Sequence, residues 1–204
     1  MRPVFGRASG GLLPGFADPV GQTQQSFRAV MDAMARPGQV RELARPEGVP
    51  EGWPSALAAL ALTLLDQDTP VWLDRQGVSE QAAAYLRFHC GCPVVPECTE
   101  ATFAVILDTA AAPPLHAFSI GDALYPEQSA TLIMTVQSFE GGPTQRWTGP
   151  GIKKQALVSP KGLPPQFVPQ WSDNHALYPS GIDIILVAGD AVMALPRSVS
   201  VEEG

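Results

Sequence analysis

Residues 126–152, PEQSATLIMTVQSFEGGPTQRWTGPGI, contain the strand signal around which the rest of the chain can be arranged. The run Ala130–Val136 is apolar and rich in β-branched side chains, and Gly141-Gly142-Pro143 interrupts it. Thr144–Thr148 offers a second short strand, so the pattern predicts a hairpin closed by a tight glycine turn. Because Ala130–Val136 is apolar on both faces, both faces must be covered. We therefore expect this strand to lie deep in a layered domain.

A first helix is predicted on the amino-terminal side of this stretch. Asp18 can serve as N-cap and Pro19 as the first helical residue, and Pro37-Gly38 stops the pattern, which predicts a helix over Pro19–Arg36. Its apolar residues at helical spacing are Phe27, Val30, Met31 and Met34. The helix is therefore predicted to be amphipathic.

Two more helices are predicted before residue 90. The run SALAALALTLLD, which begins at Ser55, has no charge until Asp66. A helix that is apolar all round is buried, either between layers or at a subunit interface. Ser79 can cap a third helix over Glu80–His89, which Gly91 ends.

The remaining apolar runs predict short strands, and residues 109–125 are predicted to be mainly loop. The predicted strands are residues 39–43, 71–73, 102–108, 156–158, 182–187 and 192–195, with one short helix near Phe167–Trp171. Helices dominate the first half and strands the second, which favours a three-layer α/β sandwich with a mixed β-sheet. Residues 1–15 are predicted to form a flexible arm, and residues 16–204 a single domain.

Composition excludes several classes of function. A chain of 204 residues with a net charge of −7 is poorly suited to binding a nucleic-acid backbone. No apolar run reaches the length of a membrane span, and the amino terminus does not resemble a signal peptide. We therefore expect a cytoplasmic protein that contacts neither membrane nor nucleic acid.

The cluster His89-Cys90-Gly91-Cys92, followed by Cys98, is the most metal-like feature. Its Cys-x-Cys spacing is tighter than that of structural zinc sites, and no second ligand pair follows. Buried or incidental thiols are the alternative. We expect no metal, and we expect the cysteines to be dispensable for folding.

A phosphate site is the second candidate. Gly141-Gly142 and Gly149-Pro150-Gly151 could present backbone N–H groups, with Arg146 on the preceding strand and Lys153 and Lys154 behind the turn. Neither glycine pair matches a P-loop or a dinucleotide-binding pattern, and hairpin turns would explain the glycines without a ligand.

Catalytic residues are not evident. Asp66 and Asp68 could form a pair of carboxylates, but the end of a helix and the start of a turn explain them equally well. His116 and His175 are isolated, and no nucleophile elbow or zinc-protease motif occurs. We therefore predict no catalytic residue.

Several short blocks follow one another in order from about residue 16 to 201. These blocks are Asp18-Pro19, Gln25-x-Phe27-Arg28, Met34-Ala35-Arg36-Pro37-Gly38, Leu62–Leu73 (LTLLDQDTPVWL), Leu86-Arg87-Phe88-His89, Ala101–Val105 (ATFAV), Pro126-Glu127, Ala130-Thr131-Leu132-Ile133, Thr148-Gly149-Pro150-Gly151-Ile152, Pro179–Leu186 (PSGIDIIL) and Ala194-Leu195-Pro196-Arg197. Together they cover nearly the whole chain and are far more specific than any one block. In this combination they resemble the PhnH family.

The resemblance implies a subunit of the bacterial carbon–phosphorus lyase core complex. That system breaks down phosphonates by replacing the adenine of ATP with an alkylphosphonate, which gives a ribose 1-phosphonate 5-triphosphate. The resemblance further implies a homodimer, other core subunits as partners, and a fold similar to a reduced large domain of pyridoxal-phosphate transferases. ATP or a phosphonate is an additional possible ligand within the complex.

The family is described as having lost the pyridoxal-phosphate site, and the lysines agree with that. A Schiff base needs a lysine, and Lys153, Lys154 and Lys161 all lie in one stretch rich in proline and glycine. We therefore expect no cofactor. Two hypotheses follow: a structural subunit, or a phosphate- or nucleotide-binding surface around Arg146, Gly149, Gly151, Lys153 and Lys154.

The predicted dimer needs anchoring side chains. Large aromatic residues near turns, with arginines beside them, are candidates for contacts with another chain. These residues are Phe139, Trp147, Trp171, Tyr178, Arg146 and Arg197. The alternative is that the aromatic rings fill the core of the domain.

Overall fold

The computed structural model describes residues 12–122 and 124–204. The helices are α1 (Pro19–Ala35), α2 (Ser55–Leu64), α3 (Glu80–His89) and α4 (Phe167–Ala176). The strands are β1 (Val40–Glu42), β2 (Val71–Leu73), β3 (Phe103–Ile106), β4 (Thr131–Thr135), β5 (Gln145–Thr148), β6 (Ala156–Val158), β7 (Asp183–Ala188), β8 (Ala191–Leu195) and β9 (Ser200–Glu203). Single 3₁₀ turns occupy Cys98–Glu100, Thr109–Ala111, Leu115–Ala117 and Pro126–Gln128.

A six-stranded sheet in the order β1-β8-β7-β4-β3-β2 forms the centre of the fold. Strands β2, β3, β4 and β7 are parallel, whereas β8 and β1 run antiparallel to their neighbours. Leu132 of β4 lies between Ala104 of β3 and Ile184 of β7. The prediction of an α/β fold with a mixed sheet is confirmed.

The predicted hairpin between Ala130–Val136 and Thr144–Thr148 is wrong. Strand β4 is hydrogen-bonded to β3 on one side and β7 on the other, so it has no free edge for β5. Strand β5 instead joins a second, antiparallel sheet in the order β6-β5-β9. The alternation of buried Gln145 and Trp147 with exposed Arg146 fits a sheet that is covered on one face.

Different elements pack against the two faces of the central sheet. Ile133, Ile185 and Val187 belong to one hydrophobic cluster together with residues of α1, α2 and α3. Leu132 and Met134 belong to a second cluster together with residues of α4, β5, β6 and β9. Because neighbouring residues of a strand point to opposite faces, β4 contributes to both clusters, as its apolar sequence predicts.

Helix α1 buries only part of its predicted apolar stripe: Val30 is buried, and Met34 packs against the core as a partly buried side chain. Ser26, Val30 and Ala33 are buried, whereas Phe27 and Met31 are 48% and 54% exposed. The inner face contains small side chains because α1 packs against both α2 and β8. Helix α2 is buried from Ala56 to Ala61 within the domain, so the core explains its apolar sequence.

Other differences concern the ends of the chain and the element bounds. Helix α4 continues to Ala176, and β9 was not predicted.

Most of the predicted arm, residues 1–11, lies outside the described residues. At its end, the carbonyls of Pro14 and Gly15 accept hydrogen bonds from the backbone N–H groups of Gly48 and Glu47, respectively. Within the described residues, no helix has the length and apolar character needed to cross a membrane.

Candidate functional site

A large cavity lies at the carboxyl ends of the parallel strands β3 and β4. Its volume is about 440 Å³. The lining residues are Leu107, Asp108, Thr109, Ala110, Thr135, Val136, Gln137, Gly162, Leu163, Pro164 and Pro165. Ligands of open α/β sheets bind at this edge, because the loops that follow the strands leave a crevice there. This position makes the cavity the candidate functional site.

Asp74 fixes the backbone beneath the cavity. It follows β2 directly and is only 7% exposed. One carboxylate oxygen accepts hydrogen bonds from the backbone N–H groups of Leu107 and Asp108, both at 2.7 Å. The other oxygen accepts from the N–H of Gly77 at 2.6 Å. Asp74 therefore ties the end of β2 to the end of β3, and its role is to position the backbone.

Asp108 lies on the wall of the cavity and retains acceptor capacity. Its carboxylate accepts from the side-chain amide of Gln76 at 2.9 Å and from the N–H of Ala110 at 3.1 Å. A carboxylate has about four lone-pair positions, so further donors can bind to it. The carboxylate can accept hydrogen bonds from a ligand, or a proton.

The segment Gly162–Pro165 closes the cavity from the other side. The Thr109 hydroxyl donates to the carbonyl of Gly162, and the Gln137 N–H donates to the carbonyl of Lys161 at 2.8 Å. A second cavity, of about 370 Å³, lies against the same Leu163–Pro165 residues. The segment therefore separates two concave surfaces.

A polar network occupies the opposite ends of β4 and β7. The Arg197 guanidinium contacts both carboxylate oxygens of Asp183, the hydroxyl of Ser129 and the carbonyl of Pro126. The backbone N–H of Arg197 also donates to the Asp183 carboxylate, at 2.7 Å. The Arg197 and Asp183 side chains are each 15% exposed. Arg197 thus bonds within its own chain, whereas it was predicted to reach a partner.

Arg146, the first residue of the predicted phosphate site, pairs with an acid on the neighbouring strand. Its guanidinium contacts the Glu202 carboxylate, and the two residues are opposite each other on β5 and β9. Both side chains are largely exposed, so the pair contributes about 1 kcal/mol or less to stability.

Gly149 and Gly151 have a packing explanation. A Cβ on Gly149, whose φ is +146°, would lie 3.0 Å from the carbonyl oxygen of Ser198. A Cβ on Gly151, whose φ is +81°, would lie 2.2 Å from the carbonyl oxygen of Ala35. Glycine is therefore required where this turn meets the end of α1 and the residues before β9.

Lys153 and Lys154 follow in the same turn, and both are exposed. The structure thus places the five predicted residues on β5 and the adjoining turn, away from the residues that line the large cavity. A ligand at these five residues stays a prediction.

The thiols of the metal-like cluster divide into two groups. The Cys90 thiol donates to the carbonyl of Ala61 at 3.4 Å. Interaction with the Cys92 thiol, followed in importance by burial, raises the pKa of Cys90, whereas interaction with the Cys90 thiol lowers the pKa of Cys92. Cys98 instead donates to the carbonyl of Ala117. His89 bonds to the carbonyl of Leu13 through Nε2. Within residues 12–122 and 124–204, three metal-ligating side chains are not gathered at any one place.

Two of the predicted interface aromatics belong to the core. Trp147 and Trp171 are fully buried, and their indole N–H groups donate to the Gln145 side chain and the Val199 carbonyl. They pack in the cluster between the central sheet and the second sheet. Tyr178, in contrast, is exposed.

Comparison with protein families decides where the chain belongs. The family model described as "Bacterial phosphonate metabolism protein (PhnH)" matches residues 14–202. The chain belongs to the PhnH family. The match includes every helix and strand described above except the last residue of β9.

Two relatives show how far the similarity to PhnH proteins extends. A Rhizobium meliloti (strain 1021) protein, named alpha-D-ribose 1-methylphosphonate 5-triphosphate synthase subunit PhnH, is 41% identical over 92% of this chain and 94% of its own length. The putative C-P lyase subunit protein HtxG of Stutzerimonas stutzeri is 33% identical over 87% of this chain and 85% of its own.

Sequence reasoning missed Asp74 and Asp108 in this PhnH chain. It considered Asp66 and Asp68, of which Asp66 forms a turn by accepting from the N–H of Asp68. Their positions along the chain could have identified them, because Asp74 directly follows β2 and Asp108 lies two residues beyond the end of β3. An acidic residue at the carboxyl end of a buried strand marks the edge where α/β folds bind ligands.

Proposed function

We propose that the chain is a subunit of a bacterial carbon–phosphorus lyase core complex. The complex would convert ATP and an alkylphosphonate into ribose 1-alkylphosphonate 5-triphosphate. The observation that carries this proposal is the 41% identity to the Rhizobium protein, a named synthase subunit, over 92% of this chain. A resemblance that covers nearly all of both chains supports a shared place in such an assembly.

Within the complex we assign the chain a structural, assembly role. Three large apolar side chains on the outward side of α1 support it: Val20, Phe27 and Met31 are 83%, 48% and 54% exposed. Their spacing of seven and four residues places them along one stripe of the helix. Exposed apolar side chains that adjoin one another favour contact with another protein.

We also propose a homodimer, a cytoplasmic location, a single domain over residues 16–204 and no cofactor. The proposed likeness to a reduced large domain of pyridoxal-phosphate transferases belongs with these. The family resemblance supports the dimer, the likeness in fold and the lack of a cofactor. Purification of the untagged chain alone, followed by sedimentation equilibrium, tests the dimer. A single species of 21.6 kDa at every concentration would contradict it.

A phosphate- or nucleotide-binding surface is the second candidate function. Its residues are Arg146, Gly149, Gly151, Lys153 and Lys154, and the exposure of both lysines favours it. Titration of the isolated chain with ATP or a phosphonate separates the two functions. Binding that is lost in Lys153→Ala/Lys154→Ala would support the second candidate.

Copurification tests the subunit role directly. The tagged chain is produced together with the other lyase core subunits, and we expect those subunits to be retained on the affinity resin. The variant Phe27→Ser/Met31→Ser should retain them less well, whereas Leu157→Ser, an exposed apolar residue on β6, serves as the matched control. If wild-type chain retains none of the subunits, the functional proposal fails.

A further inference from the structure

One residue that lines the large cavity has a buried and unsatisfied hydroxyl. Thr135 is the last residue of β4 and one of the lining residues. Its Oγ1 atom is buried and has no hydrogen-bond partner among the described residues. A buried hydroxyl without a partner costs free energy, so a native structure that keeps one usually supplies a partner from outside the chain.

The charge of the lining restricts that partner. Among the described lining residues, Asp108 is the only charged one, and Thr109, Thr135 and Gln137 are neutral polar residues. Lys161 is exposed and lies just outside the lining. A phosphate group needs cations or free backbone N–H groups, whereas this wall offers a carboxylate. The lining therefore favours a ligand that donates hydrogen bonds and carries no negative charge.

The rest of the lining is apolar. Leu107, Val136, Leu163, Pro164 and Pro165 contribute side chains without polar atoms. Small-molecule sites combine such apolar walls with a few polar groups, which fix the orientation of the ligand. In dinucleotide-binding α/β folds, an acidic side chain near this edge of the sheet accepts a hydrogen bond from a ribose hydroxyl.

We propose that the cavity at the ends of β3 and β4 binds an uncharged ring compound with neighbouring hydroxyl groups, of the nucleoside class. Asp108 accepts hydrogen bonds from the diol, Thr135 and Gln137 bond to other polar atoms, and the proline segment packs against the ring. This site is separate from the Arg146–Lys154 surface and does not rest on the proposed subunit role. Its failure would leave that role intact.

Calorimetric titration of the full chain with adenosine, ribose and ATP tests the proposal. We expect saturable binding of adenosine, weaker binding of ribose and no tighter binding of ATP. Asp108→Asn keeps one acceptor oxygen but loses the charge, and should weaken adenosine binding about tenfold. Thr135→Val removes only the hydroxyl and should weaken it about fivefold without lowering the melting temperature.

One control and one further lining variant keep the test decisive. Glu140→Gln removes an exposed charge outside the lining, and its affinity for adenosine should equal that of the wild type. Gln137→Ala changes an exposed lining side chain, so it tests the site even if Asp108→Asn fails to fold. The proposal is overturned by an absence of saturable adenosine binding or by unchanged affinity in the folded lining variants. It is also overturned by tighter binding of ATP than of adenosine to the Lys153→Ala/Lys154→Ala variant, in which the separate Arg146–Lys154 surface lacks its lysines.

Discussion

The two ends of the parallel strands of the central sheet contrast in how their polar groups are used. At the amino ends of β4 and β7, Arg197 contacts Asp183, Ser129 and Pro126, and a cation faces the buried carboxylate. At the carboxyl ends of β2 and β3, Asp74 is bonded only through backbone N–H groups and Asp108 lines a cavity.

The contrast separates a stabilising end from a binding end. Where carboxylate and guanidinium satisfy each other inside the fold, little capacity remains for a ligand, and the network contributes to stability. Where Asp108 and Thr135 line a cavity, hydrogen-bonding capacity remains that the chain itself does not use. Substitutions at the amino end should therefore affect stability most.

Arg197→Ala is expected to have the largest effect. It leaves the carboxylate of Asp183 largely buried without its cation, so the free energy of unfolding should fall by about 3–5 kcal/mol. Urea denaturation at one fixed protein concentration measures it. Arg146→Ala, which breaks the exposed pair with Glu202, is the matched control and should cost less than about 1 kcal/mol. Similar losses in the two variants would remove the distinction between a buried and an exposed network.

Asp74→Ala should have the next largest effect. Three backbone N–H groups lose their acceptor, and hydrogen bonds to a charged group are individually strong but not additive, so we expect a loss of about 2–3 kcal/mol. Asp74→Asn keeps one acceptor oxygen and should cost less. If Asp74→Ala unfolds at the same urea concentration as the wild type, Asp74 does not hold the strand ends together.

The smallest effect concerns the exposed ion pair at the β7–β8 turn. A hydrogen bond from Arg45 lowers the pKa of Asp190. A carboxyl group whose pKa is lower in the folded state than in the unfolded state stabilises the fold at pH values above its unfolded-state pKa. That stabilisation is lost as the pH falls through the folded-state pKa. The melting temperature of Asp190→Asn should therefore approach that of the wild type below about pH 4. A constant difference from neutral to acidic pH would contradict this assignment.

Much of the fold was predictable because its signals are local. Ser79 caps α3, the N-cap Asp18 begins α1, and continuous apolar runs give β4, β7 and β8. The pairing of β5 was not predictable in this way, because β6 was predicted as a strand without a partner and β9 lies far along the chain. In β9, only Val201 is buried, so its sequence gives almost no strand signal.

The candidate site was harder to predict than the fold. Asp108 becomes a lining residue only because residues 162–165 fold back beside it, which no spacing within 102–108 indicates. Arg197 and Asp183 meet because β8 returns antiparallel to β7, so their pairing depends on the topology. Conversely, Gly149 and Gly151 suggested a ligand site in the sequence, whereas in the structure close contact with a neighbouring backbone segment explains each glycine.

The pairing of β1 with β8 has a consequence for synthesis of the chain. The ribosome releases residues 40–42 long before their hydrogen-bonding partners, residues 191–193. Until then β1 has no partner strand, and β5 lacks β9 on one edge until residues 200–203 follow. The domain therefore reaches its native state only after nearly all of it has been translated, and chains that stop before β8 expose unprotected strand edges, which favour aggregation.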